Sequence, residues 1–177
     1  AIKNTFIFPR QSEGNELCLT DFVHPDKKDT ICAFVVTCGD GISDLAKELM
    51  DEGRYFEAHG LQAIALEAAE GFAEKIHQQI RSEWGFPDDE NQSRDDLFKL
   101  KYRGIRVSFG YPACPRLEDQ SILWDVLSPD KEIGVKLSEE CMMEPEASVS
   151  ALVFHHPQAR YFRINDEDLE SFTNGLS

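Results

Sequence analysis

Between Arg54 and Trp84 the chain runs thirty-one residues without a proline and places Leu61, Ile64, Ala65, Ala68, Phe72, Ile76 and Ile80 at helical spacing. That period predicts one long amphipathic helix with those residues as its core stripe. Ala63, Ala65, Ala68, Ala69 and Gly71 keep its middle slim, which suits close packing. The remaining elements have to be arranged about this helix.

Residues 5–8 read as a short strand ended by Pro9, and Leu17-Cys18-Leu19 leads into Thr20-Asp21-Phe22, closed by Pro25. The β-branched and aromatic run over 31–38 predicts a strand buried on both faces. Gly39-Asp40-Gly41 makes the turn after it, and Ser43 caps a helix through about Glu52. Residues 85–93 form an acidic loop, and Ser93 caps a short helix over 94–102. Glu118–Leu127 reads as another helix. Residues 135–137, 148–154 and 159–164 read as strands, the last two joined as a hairpin through His155-His156-Pro157-Gln158. Asp166–Phe172 reads as a short acidic helix. Helices and strands mix without a βαβ rhythm, so the expected class is α+β, one domain over 1–177 with an antiparallel sheet. There is no internal repeat and no low-complexity tract.

The net charge is -15. Such a field repels nucleic acid and anionic membrane, so no partner of either kind is expected. No apolar run approaches a membrane span. The start lacks the profile of a signal peptide and an initiator Met, which reads as a fragment or trimmed form of a longer protein. Cys18, Cys32, Cys38, Cys114 and Cys141 are scattered and odd in number, which fits reduced thiols and a cytoplasmic location rather than a disulfide framework or zinc site.

Glu70, Glu74 and His77 share a face of the long helix, but no second Glu-x-x-His partner follows elsewhere. They read as a polar face, or as a single ligand contact, and no metal is expected. His155-His156 reads as a surface turn with no carboxylate nearby in sequence, and Cys114 as a buried thiol. No glycine-rich nucleotide loop or nucleophile elbow is present. Arg94, Lys99, Lys101, Arg103 and Arg106 form a local basic cluster, either a solvated face or a docking patch for an acidic protein or an anionic ligand.

The run Arg106-Val107-Ser108-Phe109-Gly110-Tyr111-Pro112-Ala113-Cys114-Pro115 gathers a planar cation, a permissive glycine, an aromatic and two prolines. By residue type it is a rigid turn carrying an arginine suited to carboxylate or phosphate. In order, Tyr102-Arg103-Gly104-Ile105-Arg106-(x)3-Gly110-Tyr111-Pro112-Ala113-Cys114-Pro115 closely resembles the S-adenosyl-L-methionine (AdoMet) signature in the C-terminal reactivation module of the cobalamin-dependent methionine synthase family. Cys18–Val23, Ala69–His77, Ser148–Ala151 and Arg160–Phe162 resemble other stretches of that module, about its C-terminal half.

The resemblance implies a C-shaped α+β domain with a twisted antiparallel sheet and a long central helix. It implies AdoMet as methyl donor for reductive remethylation of cob(II)alamin. Cobalamin is then held by a partner domain or protein, and a flavodoxin-like reductase supplies the electron. Carried over by position, Arg106 holds the AdoMet carboxylate. Tyr111 and the backbone at Ser108 and Gly110 form the adenosyl groove. Glu70 faces the cationic side of the ligand, and Tyr161 and Phe162 border the site. No residue is catalytic. The chain departs from the family at Val107-Ser108-Phe109, where Pro-Ala-Pro is usual. That departure supports an alternative reading, a non-enzymatic docking domain that binds a corrinoid protein without AdoMet. An independent AdoMet-dependent methyltransferase ranks last, because no general base or glycine-rich first loop is present.

Overall fold

The computed structural model describes residues 4–175. The chain combines helices with small antiparallel sheets, the expected α+β class, and clusters into two compact units. The first takes in the segment ending at Ala33, His77–Leu117 and the segment starting at Ala151; the second takes in Phe34–Ile76 and Glu118–Ser150. None of the five cysteines is in a disulfide. No helix among the described residues is long and apolar enough to cross a membrane.

A three-stranded sheet has the order β1-β5-β2, with β1 at Cys32–Thr37, β2 at Ile105–Val107 and β5 at Ser148–Phe154. All of β5 is buried, as befits the central strand. In the first unit β2 pairs antiparallel with it, Ile105 opposite Phe154, Arg106 opposite Val153 and Val107 opposite Leu152. The predicted hairpin of 148–154 with 159–164 does not form. Both edges of β5 are already taken by β1 and β2, so 159–164 has no ladder to join and runs as irregular chain. Residues 5–8 are likewise not a strand. Their alternation serves ring packing instead: Phe6 stacks on Phe8 at 6.1 Å and lies 6.0 Å from Phe109, and Phe8 meets Phe154 edge-on at 6.5 Å.

Leu19–Phe22 is a 3-10 turn, held by Asp21, which accepts from the Cys18 amide and takes both nitrogens of the Arg10 fork. Helix α3, Arg94–Phe98, is shorter than expected, but Ser93 caps it by accepting from the Asp96 amide. Helix α6, Asp166–Gly175, begins where Asn165 accepts from the Asp168 amide.

In the second unit β1 buries only alternate residues, Phe34 and Val36, rather than both faces. Helix α1, Ile42–Asp51, starts one residue before the predicted cap: Gly41, at φ 85°, is the N-cap and Ser43 lies inside the first turn. Helix α2, Tyr55–Glu83, is the long helix, and it runs from this unit into the first. Its core stripe keeps Ala65 and Ile80 of the predicted one but not the rest. Ala58, Ala65, Ala69 and Ala73 are buried, whereas Ile64 is 71% exposed and Phe72 46%. Ala68 is exposed, and Leu61 and Ile76 are half-buried. The close-packed face is the alanine line, because only small side chains let a neighbour approach the helix backbone. A 3-10 turn, Leu117–Asp119, leads into α4, Gln120–Leu127. Buried Gln120 donates to the Cys141 carbonyl and accepts from the Ser150 hydroxyl, so both ends of its amide are satisfied. A short α5, Pro129–Glu132, precedes the two-residue strands β3, Lys136–Leu137, and β4, Met143–Glu144, which pair antiparallel.

Candidate functional site

The Arg106–Pro115 segment leaves β2 and turns back on itself. Ile105, Val107 and Phe109 are buried, so by strand alternation Arg106 and Ser108 take the other face, where both are half-buried. Phe109, the bulky departure from the family pattern, therefore points inward, onto Phe6. Gly110 sits at φ 84°, a left-handed conformation that glycine adopts without strain. Its amide donates to the Cys114 carbonyl, and the Cys114 amide donates to the Tyr111 carbonyl, closing a tight turn over Tyr111-Pro112-Ala113-Cys114. The Cys114 thiol is buried. The Tyr111 ring is 61% exposed at the tip.

The irregular segment after β5 meets this turn. The Tyr161 hydroxyl accepts from the Arg106 amide at 3.3 Å, capping the outer edge of β2 where another strand would pair. Tyr161 remains largely exposed, and Phe162 is half-buried with its ring edge-on to Phe22 at 6.2 Å. Arg106 and Tyr161 are thus brought into contact, with Ser108, Gly110 and Tyr111 on the same short segment. Glu70 lies exposed on α2 in the second unit.

A buried polar cluster that residue types and spacing did not announce occupies the end of α2 in the first unit. Arg81 is 1% exposed and grips Asp88 with both arms of its fork, Nε to Oδ1 at 2.7 Å and Nη2 to Oδ2 at 2.6 Å. Its guanidinium carbon lies 3.8 Å over the Tyr102 ring. His77, one turn earlier, is fully buried and meets the same ring edge-on at 5.3 Å. Among the described residues, neither His77 ring nitrogen has a hydrogen-bond partner. Burial drives its pKa down to about 3, and the charges of Arg81 and Arg106 act in the same direction against a smaller opposing effect of Asp88. This keeps the His77 ring uncharged at neutral pH. Burial alone would raise the Asp88 carboxyl, but the Arg81 hydrogen bond and charge, aided by Gln78, outweigh it and hold Asp88 below the usual carboxylate range. The one available clue was phase: His77 and Arg81 continue the four-residue spacing of Ala65, Ala69 and Ala73.

This cluster separates the polar face expected at Glu70, Glu74 and His77. Glu70 is exposed, Glu74 half-buried and His77 sealed. No three His, Cys, Asp or Glu side chains among the described residues gather as a metal ion requires. The basic cluster is partly engaged: Lys101 pairs with Asp96 at 2.7 Å, and Arg103 donates to the His155 carbonyl while lying over Phe86. His155 does have a carboxylate partner, brought by the fold rather than by sequence proximity: Asp29 at 3.1 Å.

The fold and turn define an α+β domain that carries an Arg-x-x-x-Gly-Tyr-Pro turn off an edge strand. The narrower assignment comes from known proteins. The family model described as vitamin B12 dependent methionine synthase, activation domain, matches residues 4–174, and the chain belongs to that family. Methionine synthase of Mycobacterium tuberculosis (strain ATCC 25618 / H37Rv) is 38% identical over 176 residues, covering 92% of this chain and 15% of the relative. Methionine synthase of Mycobacterium leprae (strain TN) is 38% identical over 172 residues, covering 90% and 14%. The chain therefore spans a small part of these enzymes. Among solved structures, the MetH reactivation domain bound to AdoHcy superposes with a TM-score of 0.84 at 34% identity, covering 96% of this chain and 55% of that one.

Proposed function

We propose that residues 1–177 act as one activation-type domain, equivalent to the C-terminal half of the family's module, and that it binds AdoMet as methyl donor for the reductive remethylation of cob(II)alamin. The cobalamin belongs to a partner domain or protein, and a flavodoxin-like reductase supplies one electron. Bound AdoMet would supply the methyl group and the partner's cobalamin would accept it; this chain contributes binding and presentation, not a catalytic group.

The turn that begins at Arg106 carries this reading. Arg106 offers a planar fork to the ligand carboxylate. The exposed Tyr111 ring is a stacking surface for the adenine. The amides of Arg106 and Gly110 are already engaged, so the ligand takes its backbone contacts elsewhere, at Ser108 or at the Gly110 carbonyl. Tyr161 and Phe162 flank the carboxylate end. Glu70 answers the ammonium and sulfonium charge, a role that rests on the family resemblance. Further support comes from the solved relative, which is bound to the demethylated form of the same ligand. The docking-only alternative drew on Val107-Ser108-Phe109. Val107 and Phe109 are buried, so the two bulky departures lie on the core face and not on the face of Arg106.

Calorimetric titration with AdoMet tests the proposal. Binding is expected for the parent and a loss of at least about tenfold for Arg106→Ala, the scale of a charge-assisted pair. No heat at millimolar AdoMet, or an Arg106→Ala variant indistinguishable from the parent, would sink it.

A further inference from the structure

The loop after α2 folds back beside residues 101–103, and two contacts tie them together. At one end the Gln92 side-chain amide donates to the Lys101 carbonyl at 2.6 Å. At the other the Arg103 guanidinium carbon lies 4.2 Å over the Phe86 ring. Between these ties the first unit has an open cleft of about 440 Å³, within the size range of small-molecule sites. Phe86, Pro87 and Tyr102 give it apolar walls, and charged side chains of both signs complete the lining.

Two of those charges are left unanswered. Asp88 is engaged by Arg81, and Asp96 pairs with Lys101 at 2.7 Å. Asp89 and Arg103 remain, and among the described residues neither is in an ion pair, with the other or with a third group. Both are exposed, so a solute reaches them, yet both are held in place. The Arg103 Nε donates to the His155 carbonyl at 2.8 Å, and the Phe86 ring fixes the guanidinium plane. Its two terminal nitrogens, which can grip a carboxylate, have no acceptor among the described residues. The Asp89 Oδ1 accepts from the Asn91 amide at 2.8 Å and from the Asn91 side-chain amide at 3.3 Å. The Asp89 Oδ2 has no donor among the described residues.

These groups select a solute by its charges. A simple anion would meet Arg103 but also the carboxylate of Asp89, and a simple cation the reverse. A solute carrying both charges and an apolar body satisfies every part of the cleft. An α-amino acid with an apolar side chain is the simplest of that kind. We infer that this cleft binds such a free amino acid, its carboxylate on Arg103, its ammonium on Asp89 and its side chain against Phe86 and Pro87. No residue of the Arg106–Pro115 turn lines the cleft, so this site is separate from the proposed AdoMet groove. The inference does not rest on the AdoMet reading. AdoMet carries an amino-acid head of its own, however, so the test must tell the two sources apart.

The test is amide NMR of the protein titrated with L-leucine, with 4-methylpentanoate, which lacks the ammonium, and with isoamylamine, which lacks the carboxylate. Leucine should shift amides over residues 86–103 and saturate at millimolar concentration. Each analogue should bind at least about tenfold more weakly, the scale of one charge-assisted contact. Asp89→Asn and Arg103→Gln should each weaken leucine by at least about tenfold, with thermal midpoints showing that both fold. AdoMet should bind both variants as it binds the parent, and leucine should not displace it. No leucine shift at about 20 mM, well above a millimolar Kd, overturns the inference. So do analogues that bind as well as leucine, or variants that bind leucine as the parent does. Displacement of AdoMet by leucine also overturns it, because the cleft would then hold the AdoMet head. If the parent binds no AdoMet, the function proposed above falls, and the leucine titration still decides the cleft.

Discussion

At Gly104 the backbone of the chain touches the backbone of its neighbour. A Cβ there would lie 2.6 Å from the Phe154 carbonyl oxygen, and φ is 86°. Gly110 shares the left-handed conformation, at φ 84°, but a Cβ would meet only the end of the Leu117 side chain at 3.5 Å. The two glycines therefore carry different constraints. Gly104→Ala combines left-handed strain with a clash against immovable backbone and should cost about 2–4 kcal/mol. At 2–4 °C per kcal/mol this lowers the thermal midpoint by about 4–16 °C. Gly110→Ala carries the strain alone, about 1 kcal/mol. Thermal denaturation of the two variants checks the order; equal midpoints would contradict it. At this scale the sequence was readable where residue order mattered. The resemblance names Arg106 and Tyr161 for one site, and the structure brings the Tyr161 hydroxyl to the amide of Arg106. The Arg81–Asp88–Tyr102–His77 cluster was not readable, because its members come from a helix, a loop and the approach to β2, and only folding joins them.

Elements were legible in kind more than in facing. The long helix, the central strand over 148–154 and the Ser93 cap stand where periodicity and capping chemistry put them. The strand over 159–164 failed because local propensity cannot know that both edges of β5 are occupied. The stripe of α2 holds only in part: Ala65 and Ile80 are buried, but the larger Ile64 and Phe72 face out, because close helix packing selects small residues. This reversal predicts an unusual ranking. Ala73 is fully buried, so Ala73→Leu forces three extra carbons into a packed face and should cost about 1–3 kcal/mol. Ile64→Ala removes a side chain that is 71% exposed and should change stability by less than about 0.5 kcal/mol. Chemical denaturation measures both. A larger loss for Ile64→Ala than for Ala73→Leu would restore the stripe that size alone suggests.

For the molecule as a whole, the charge of -15 and the sealed His77 pull stability in opposite directions as pH falls. Protonating carboxylates relieves self-repulsion, which favours the compact state, but that begins only as pH approaches the carboxylate range. His77 acts earlier. Its pKa is near 6.5 in the unfolded chain and about 3 in the fold, so between those values the unfolded state binds the extra proton. Stability from this group is complete above pH 6.5 and falls as the solution is acidified toward 3. One proton taken up on unfolding corresponds to a slope of about 1.4 kcal/mol per pH unit. Asp88, also held low, adds its loss only below the usual carboxylate range. From pH 6.5 to 5 the histidine effect therefore stands largely clear of the carboxylates. Denaturant unfolding at pH 8, 6.5, 5.5 and 5 should show the parent losing stability across the lower three points. In His77→Gln, which has no proton to take up at this position, the loss should be shallower by about 1 kcal/mol per pH unit over the same interval. Parallel curves for the two proteins would mean that His77 reaches solvent or finds a proton acceptor in the native state, and the acid sensitivity would then have to come from elsewhere in the chain.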